Sequence, residues 1–165
     1  EKNYADKPAI HQIGCIGKIM AEQRLDDGRF NLLLRGLARV RLGKEALSEK
    51  LYRIAAADIL EETPFDDDAT AAQWRESLIE KTPKWFAGQQ EIIEQFPKLL
   101  ASELALGPIG DIFAFALPLD VEFKQTLLEE LDVKARLAML SYFMDAKQSL
   151  KAAMHRKFPP EFSVN

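Results

Sequence analysis

The sequence has few of the residues from which covalently linked or metal-stabilised folds are built. Its single cysteine, Cys15, cannot form a disulfide within the chain. Its two histidines, His11 and His155, lie near opposite ends of the chain. Because a structural zinc ion takes a full tetrahedral set of cysteine and histidine ligands, these residues cannot complete a zinc site. We therefore predict neither a disulfide-linked protein nor a zinc protein.

Long apolar runs are also missing. The longest, residues 109–119, is interrupted by Asp111 and Pro118 and is shorter than the roughly 18 residues that a membrane-spanning helix requires. The polar start at Glu1 has no signal-peptide pattern and no initiator Met, so we expect that residues before it have been removed. A single cysteine fits a reducing compartment. We expect a cytoplasmic protein that does not bind membranes.

Catalytic and nucleotide-binding motifs are missing too. The candidate phosphate loop at Gly43-Lys44 lacks the Ser or Thr after the lysine and the glycine at position 38. No Ser-x-x-Lys sequence occurs, so a nucleophilic serine has no lysine at that spacing. Cys15 lies among apolar strand residues, where a thiol is expected to be buried and inert. We predict a protein that is not an enzyme and has no cofactor.

The charges do not favour nucleic acid as a partner. The net charge is −4; residues 1–60 carry 11 basic and 8 acidic side chains, and the remaining residues carry 11 and 18. Nucleic-acid-binding domains usually have a much larger basic excess. Arg35, Arg39 and Arg41 are the one feature that supports RNA binding, and such arginines more often keep the outer face of a strand hydrated.

Residues 12–62 show the alternation of β-strands. Phe30, Leu32 and Leu34 share one face of a strand at 29–43, and Gly36 is placed to allow a bend or bulge. The turn signal at 26–28 predicts a hairpin with a strand at 12–25. A third strand is predicted at 51–61, and its inner face is formed by Tyr52, Ile54, Ala56 and Leu60.

From residue 69 onward the apolar period is helical. We predict helices at 69–81, at 110–117, after Asp120, and at 133–157. Another helix is predicted to begin at Thr82-Pro83 and to be broken or kinked at Phe96-Pro97. A further helix should run to about residue 106 and stop at Gly107-Pro108. Asp68 is expected to cap the first helix, and Asp132 the last. The nearly apolar helix 110–117 is expected to be buried. Val133, Leu137, Leu140 and Met144 form one apolar stripe.

These patterns predict an α+β protein with three segments: a β-rich lobe at 1–65, a helical subdomain at 66–157 and a tail at 158–165. The aromatic pair Trp85 and Phe86 has two interpretations. At helical spacing such rings usually belong to a core, but they could also form an exposed anchor for a protein partner.

Two parts of the chain resemble the N-terminal substrate-binding domain of Lon proteases. In that family a V-G-x-x-A-x-I strand is joined by a D-G turn to a long strand that ends in G-L-x-R-x-R-I. Here residues 13–19 read IGCIGKI, and residues 36–42 read GLARVRL. The turn between the two strands contains Asp27-Gly28.

The helical half resembles the same family. Residues 111–119, 124–129 and 131–137 are similar to its D-x-I/F-A-x-x-L-P-L, K-Q-x-L-L-E and L-D-V-K-x-R-L segments. The similarity is weakest over 66–106. The resemblance implies a PUA-like antiparallel β lobe, a pseudo-barrel, followed by a helical bundle. In the family, one or two more strands precede the position of residue 1, and we expect them to be missing from this sequence. The lobe would then lack an outer strand and part of its core, which either the missing segment or another chain would supply.

The resemblance also implies a function. Such domains recognise unfolded or tagged polypeptide substrates, or a protein partner, and have no active site. We expect the binding surface to include Leu33 and Leu37 on the outward face of the hairpin, and Trp85 and Phe86. Two alternatives stay open: an N-terminal fragment of an ATP-dependent Lon serine protease, and a PUA-like module that binds RNA or a small molecule.

Overall fold

A computed structural model describes the backbone of residues 8–65 and 67–157, with side chains up to residue 150. The chain divides into two compact units between Glu61 and Glu62. The predicted tail at 158–165 lies outside the described residues. The α+β class predicted from the alternation and the helical periods is confirmed.

The β unit is an antiparallel sheet, and its described strands are β1 (Ile13–Arg24), β2 (Phe30–Ala46) and β3 (Ile54–Ile59), in the order β1-β2-β3. The predicted hairpin is confirmed. Gly28 has φ = 84°, a conformation that side chains with a Cβ atom rarely adopt. The Asp27 carboxylate accepts the backbone N–H of Arg29 at 3.0 Å. This turn sets the register of the two long strands.

A β-bulge lies where the sequence predicts one, beside Gly36. Gly17 pairs with Gly36 and Ile16 pairs with Ala38, so Leu37 is the extra residue on β2. Because successive side chains of a strand point to opposite faces, one extra residue reverses the alternation. Phe30, Leu32 and Leu34 therefore lie on one face of the sheet, and Ala38, Val40 and Leu42 lie on the other.

The third strand is shorter than predicted. β2 ends at Ala46, which pairs with Ile54, so residues 51–53 have no backbone partner on β2. Tyr52 accordingly lies outside the strand and is exposed. Its predicted place on an inner strand face is wrong. Ile54 and Ala56 lie on β3 but are exposed, and Leu60 follows the end of the strand, so the predicted inner face is not buried.

The helical unit contains five helices among the described residues: α1 (Asp68–Trp85), α2 (Gln90–Leu100), α3 (Leu106–Ala116), α4 (Val121–Glu129) and α5 (Val133–Lys157). Asp120 caps α4 by accepting the N–H of Phe123 at 2.8 Å. Asp132 accepts the N–H of Ala135 at 3.0 Å at the start of α5. Both predicted caps are confirmed. The α1 cap is Asp67 rather than Asp68, since its Oδ1 accepts the Thr70 N–H at 2.7 Å.

Two predicted helix boundaries at prolines are wrong. Pro83 lies inside the last turn of α1, and Pro97 lies inside the last turn of α2. A proline there removes one intrahelical hydrogen bond near an end that already has unpaired carbonyl groups, so the helix continues to its natural stop. After α1 that stop is Gly88, whose φ is 87°.

The Gly107-Pro108 pair does not end a helix but begins α3, so the predicted stop is also wrong. Pro108 is tolerated because the first N–H groups of a helix have no intrahelical acceptor. The glycines are needed for close packing. A Cβ atom on Gly107 would lie 2.8 Å from Glu62 Oε2, and one on Gly110 would lie 2.9 Å from Leu137 Cδ2.

An aromatic cluster forms the centre of the helical core. Phe113 is fully buried, and its ring centroid lies 4.3 Å from that of Phe96 and 6.0 Å from those of Phe86 and Trp85. The predicted stripe on α5 faces the same core and is buried throughout: Val133, Leu137, Leu140 and Met144.

A buried arginine anchors the start of the helical unit. The Arg136 side chain is 2% exposed, and its Nη2 lies 2.7 Å from Glu62 Oε1. Its Nη1 donates to the carbonyl of Glu130 at 2.8 Å, and its Nε lies 3.5 Å from Asp111 Oδ1. The backbone of Thr63 donates a hydrogen bond to the carbonyl of Leu131 and accepts one from the N–H of Val133, at the start of α5. These contacts hold residues 62 and 63 against the helices.

Candidate protein-binding surface

The two long strands of the β unit expose apolar side chains on both faces. Leu33 is 64% exposed and Leu37, the bulge residue, is 60% exposed. We call the exposed apolar side chains of β1 and β2 the hairpin surface; its members are Ile16, Ile19, Met20, Phe30, Leu32, Leu33, Leu34 and Leu37. This surface contains both of the predicted β-lobe binding residues.

The hairpin surface is larger than the sequence predicts. Alternation predicts that Phe30, Leu32 and Leu34 share one face, as the register confirms. However, these three side chains remain 49–62% exposed. Within the described part of the β unit, no second layer packs on the sheet, and three strands alone cannot cover both of their faces.

The sheet also has two outer strands, β1 and β3. Among the described residues, β1 pairs with a strand on one side only, the side of β2. An outer strand of this length presents backbone donors and acceptors to which an extended peptide can add. Lys18, Glu22 and Arg24 lie along it, as charged residues often do on outer strands.

Trp85 and Phe86 belong to the core. Trp85 is 5% exposed and Phe86 is fully buried. The indole N–H of Trp85 donates to Asp145 Oδ1 at 3.3 Å. Of the two interpretations that the sequence allows, the structure supports the core, and direct contact of these rings with a partner would require the helices to separate.

The helical unit exposes other apolar residues that the sequence does not single out. The apolar pattern predicts a buried helix at 110–117, but Phe115 is 84% exposed and Ile112 is 37% exposed, while Phe113 is buried. Because this segment is apolar on all sides, its periodicity does not reveal which side faces water. Ile112 also lines a cleft of about 500 Å³ between α2 and α3, together with Gln95, Phe96, Lys98 and Leu99.

One polar cluster has the residue types of a serine-lysine dyad. Lys81 Nζ lies 2.5 Å from Ser141 Oγ and 2.5 Å from Asp145 Oδ2. Burial raises the pKa of Asp145, but hydrogen bonds from Lys81 and Trp85 and the charge of Lys81 hold it below its ordinary value. Lys81 also forms an ion pair with Asp145, a partner that a serine-lysine dyad does not include. The cluster instead links α1 to α5.

Cys15 does not have the predicted environment. Its side chain is exposed rather than buried, and its thiol donates to the carbonyl of Ile16 at 3.3 Å. Among the described residues, no group of His, Cys, Asp or Glu is arranged to hold a metal ion. Nor does any helix in this part of the chain have the length and apolar character needed to cross a membrane.

Comparison with known proteins identifies a family. The model for the ATP-dependent protease La (LON) substrate-binding domain matches residues 1–146. The Lon protease of Dictyoglomus thermophilum is 30% identical over 139 residues, which cover 82% of this chain and 17% of that protein. The Lon protease of Escherichia coli K12 is 27% identical over 153 residues, 88% of this chain and 19% of that protein. The chain thus spans less than a fifth of the length of these relatives.

Solved structures show the same fold. The N-terminal domain of a Mycobacterium avium complex Lon protease aligns with a TM-score of 0.65 and 23% identity, covering 84% of this chain and 73% of that one. A Lon N-terminal domain protein from Xanthomonas campestris aligns with a TM-score of 0.55 and 21% identity, covering 81% and 69%.

Proposed function

Because the chain belongs to the family of ATP-dependent protease La (LON) substrate-binding domains, we propose that it binds polypeptides and leaves their cleavage to other domains or partners. The polypeptides are unfolded or tagged substrates, or a partner protein that presents an extended apolar segment. Binding takes place in the cytoplasm.

The hairpin surface is the observation that carries this proposal. Exposed apolar patches larger than a few hundred Å² are uncommon on monomeric proteins and usually mark contacts with other molecules. Here such side chains follow one another along two strands, from Phe30 to Leu37 on β2 and from Ile16 to Met20 on β1. Natively folded proteins bury residues of this kind, whereas unfolded ones present them, so the surface matches the chemistry of an unfolded chain.

Leu33 and Leu37 are the proposed contacts within this surface. They are among its most exposed members, and Leu37 is the extra residue of the β2 bulge. An extended peptide adding to the outer strand β1 would place alternate side chains on each face of the sheet. Such a mode recognises apolar character rather than a particular sequence.

The relatives support a second possibility, that this module is part of a longer protease. The matched Lon proteases are five to six times as long as the matched region, so the same module could serve as the substrate-binding part of an ATP-dependent protease. The intact mass of the protein in cells separates the two possibilities. A mass near 18.7 kDa supports an independent module, and a mass several times larger supports a protease.

The polypeptide-binding proposal can be tested by fluorescence anisotropy with a labelled, permanently unfolded protein, such as a reduced and carboxymethylated one. We expect the double variant Leu33→Thr/Leu37→Thr to weaken binding about tenfold, or about 1.4 kcal/mol. The matched control is Leu47→Thr/Leu51→Thr, which makes the same change at two exposed leucines outside the hairpin surface. Equal losses in both variants, or no binding by the unaltered protein, would contradict the proposal.

A further inference from the structure

The exposed side of α3 carries an apolar strip that the proposed function does not use. Ile112 and Phe115 are three residues apart and so lie on one side of the helix. Their exposed fractions are 37% and 84%, whereas Ile109 and Phe113 of the same helix are fully buried. The helical core therefore covers Ile109 and Phe113, whereas Ile112 and Phe115 remain in contact with water.

This strip continues into the cleft between α2 and α3. Three apolar side chains, Phe96, Leu99 and Ile112, line this cleft together with Gln95 and Lys98. Its volume of about 500 Å³ lies within the range of about 300–1,000 Å³ that is typical of binding pockets. It is therefore large enough to hold the side chain of a leucine or a phenylalanine.

Two lysines border this apolar region. Lys98 lines the cleft itself. Lys124 Nζ lies 5.9 Å from the ring centroid of Phe115 and donates to the Phe115 carbonyl at 3.3 Å. Among the residues that the structure describes, neither ammonium group is paired with a carboxylate.

The position of these lysines contrasts with the charge of the surrounding half of the chain. Residues 61–165 carry 11 basic and 18 acidic side chains, a net charge of −7. In an acidic half, Lys98 beside the cleft and Lys124 beside Phe115 give this apolar region two cations without carboxylate partners among the described residues. Charge complementarity across an interface favours a partner of the opposite sign and disfavours one of the same sign.

We propose that the α2–α3 cleft binds a polypeptide segment in which a leucine or an aromatic side chain lies next to acidic residues. The apolar side chain enters the cleft against Phe96, Leu99 and Ile112, and the neighbouring carboxylates face Lys98 and Lys124. This inference rests on the proposed binding of polypeptides, and adds to it a second surface with a charge preference. The hairpin surface selects apolar character, and the cleft selects apolar residues with acidic neighbours.

Three labelled peptides of equal length test the charge preference by fluorescence anisotropy with the 165-residue protein. The first contains leucine and phenylalanine next to aspartates, the second replaces the aspartates by lysines, and the third replaces the apolar residues by serines. We expect the first peptide to bind at least about tenfold more tightly than either of the others. Equal binding of the aspartate and lysine peptides would overturn the proposal.

A charge reversal locates the site. Lys98→Glu is expected to weaken binding of the aspartate peptide about tenfold and to strengthen binding of the lysine peptide. Lys134→Glu makes the same change at another exposed lysine of the helical unit and should leave both affinities unchanged. An effect of equal size in the two variants would overturn the assignment to the cleft. Unchanged tryptophan fluorescence establishes that each variant is folded, because Trp74 and Trp85 both lie on α1.

Two further measurements distinguish binding in the cleft from binding on the hairpin surface and from dimer formation. The hairpin variant Leu33→Thr/Leu37→Thr should retain the affinity for the aspartate peptide, while losing affinity for the unfolded protein. If it loses both, one surface binds both ligands and the cleft proposal fails, although the proposed function stands. Light scattering tests a second copy of the chain as the occupant: a dimer that Lys98→Glu dissociates would also overturn the proposal.

Discussion

The two units of this protein are about equally rich in apolar residues, but they place them differently. In the described β unit, Val40 and Arg39 are the buried residues, and the large apolar side chains of the hairpin remain in contact with water. In the helical unit, fifteen apolar residues form a continuous core. Helices joined by short loops can surround their own apolar stripes, whereas three strands form a layer that needs a second layer on it.

This difference places most of the folding stability in the helical unit and leaves the β unit with the hairpin surface that we propose binds polypeptides. The hydrophobic contribution to folding comes from area removed from water, and that area is concentrated in the helical unit. Both tryptophans also lie in the helical unit, so tryptophan fluorescence during urea unfolding reports on that unit. Substitutions in the β unit and in the helical unit can therefore test this difference in stability.

The largest effect is expected at the centre of the aromatic cluster. Phe113→Ala removes a fully buried ring that contacts three other aromatic side chains, and should lower the free energy of unfolding by about 3–5 kcal/mol. The control is Phe115→Ala, two residues further along α3 and 84% exposed, which should change it by less than about 0.5 kcal/mol. Similar losses in the two variants would show that α3 is not buried on the side we describe.

The next effect is expected where the chain enters the helical unit. Glu62→Ala removes a carboxylate 2.7 Å from the buried guanidinium of Arg136, which keeps its bond to the Glu130 carbonyl. We expect a loss of about 1–3 kcal/mol, because a buried donor is left less well satisfied. The control is Glu61→Ala, at the adjacent exposed residue. Its free energy of unfolding in urea should change by less than about 0.5 kcal/mol.

A smaller and pH-dependent effect is expected at Asp145. Its pKa in the folded protein lies below the ordinary value, since hydrogen bonds and the charge of Lys81 outweigh the opposing effect of burial. A lowered pKa stabilises the folded state at pH values above the unfolded pKa of about 3.9, and this contribution is lost as the pH falls through the folded pKa. The carboxylate is half-exposed, so solvent screening keeps the effect modest.

The measurement compares the free energy of unfolding of the unaltered protein with that of Asp145→Asn at several pH values. The unaltered protein should be more stable near neutral pH, and the two should converge as the pH falls below about 4. A gap that widens in acid would mean that the carboxyl group is not held in its charged form by Lys81.

The smallest effect on stability is expected on the hairpin surface. Leu33→Thr/Leu37→Thr changes two side chains that are 64% and 60% exposed, and threonine retains the preference for extended backbone. The free energy of unfolding from tryptophan fluorescence should change by less than about 0.5 kcal/mol, although binding of unfolded protein falls. A loss above about 1.5 kcal/mol would show that these leucines belong to a core.

The local features of the fold are predictable because they depend on neighbours in the chain. The Asp27-Gly28 turn, the bulge beside Gly36 and the caps Asp120 and Asp132 each use one residue type for a backbone requirement. The α5 stripe is predictable for the same reason, since residues three and four apart share a helix face. The family resemblance is carried by these same segments.

Several of the wrong predictions concern glycine and proline, residue types that serve more than one purpose. Gly107 and Gly110 have the pattern of a turn, but they are small because Glu62 and Leu137 pack against them. Pro83 has the pattern of a helix start and lies in a last turn instead. The candidate site divides in the same way: Leu33 and Leu37 are exposed, whereas Trp85 and Phe86 are buried.

The sequence by itself determined the α+β class, the hairpin, most helices and the family, because each follows from the periodicity and turn chemistry of adjacent residues. Only the tertiary structure decided which apolar residues face water. Phe113 and Phe115 are two residues apart in one apolar helix, yet one is buried and the other is 84% exposed. Burial depends on what packs against a side chain, and those packing residues come from distant parts of the chain that no local pattern identifies.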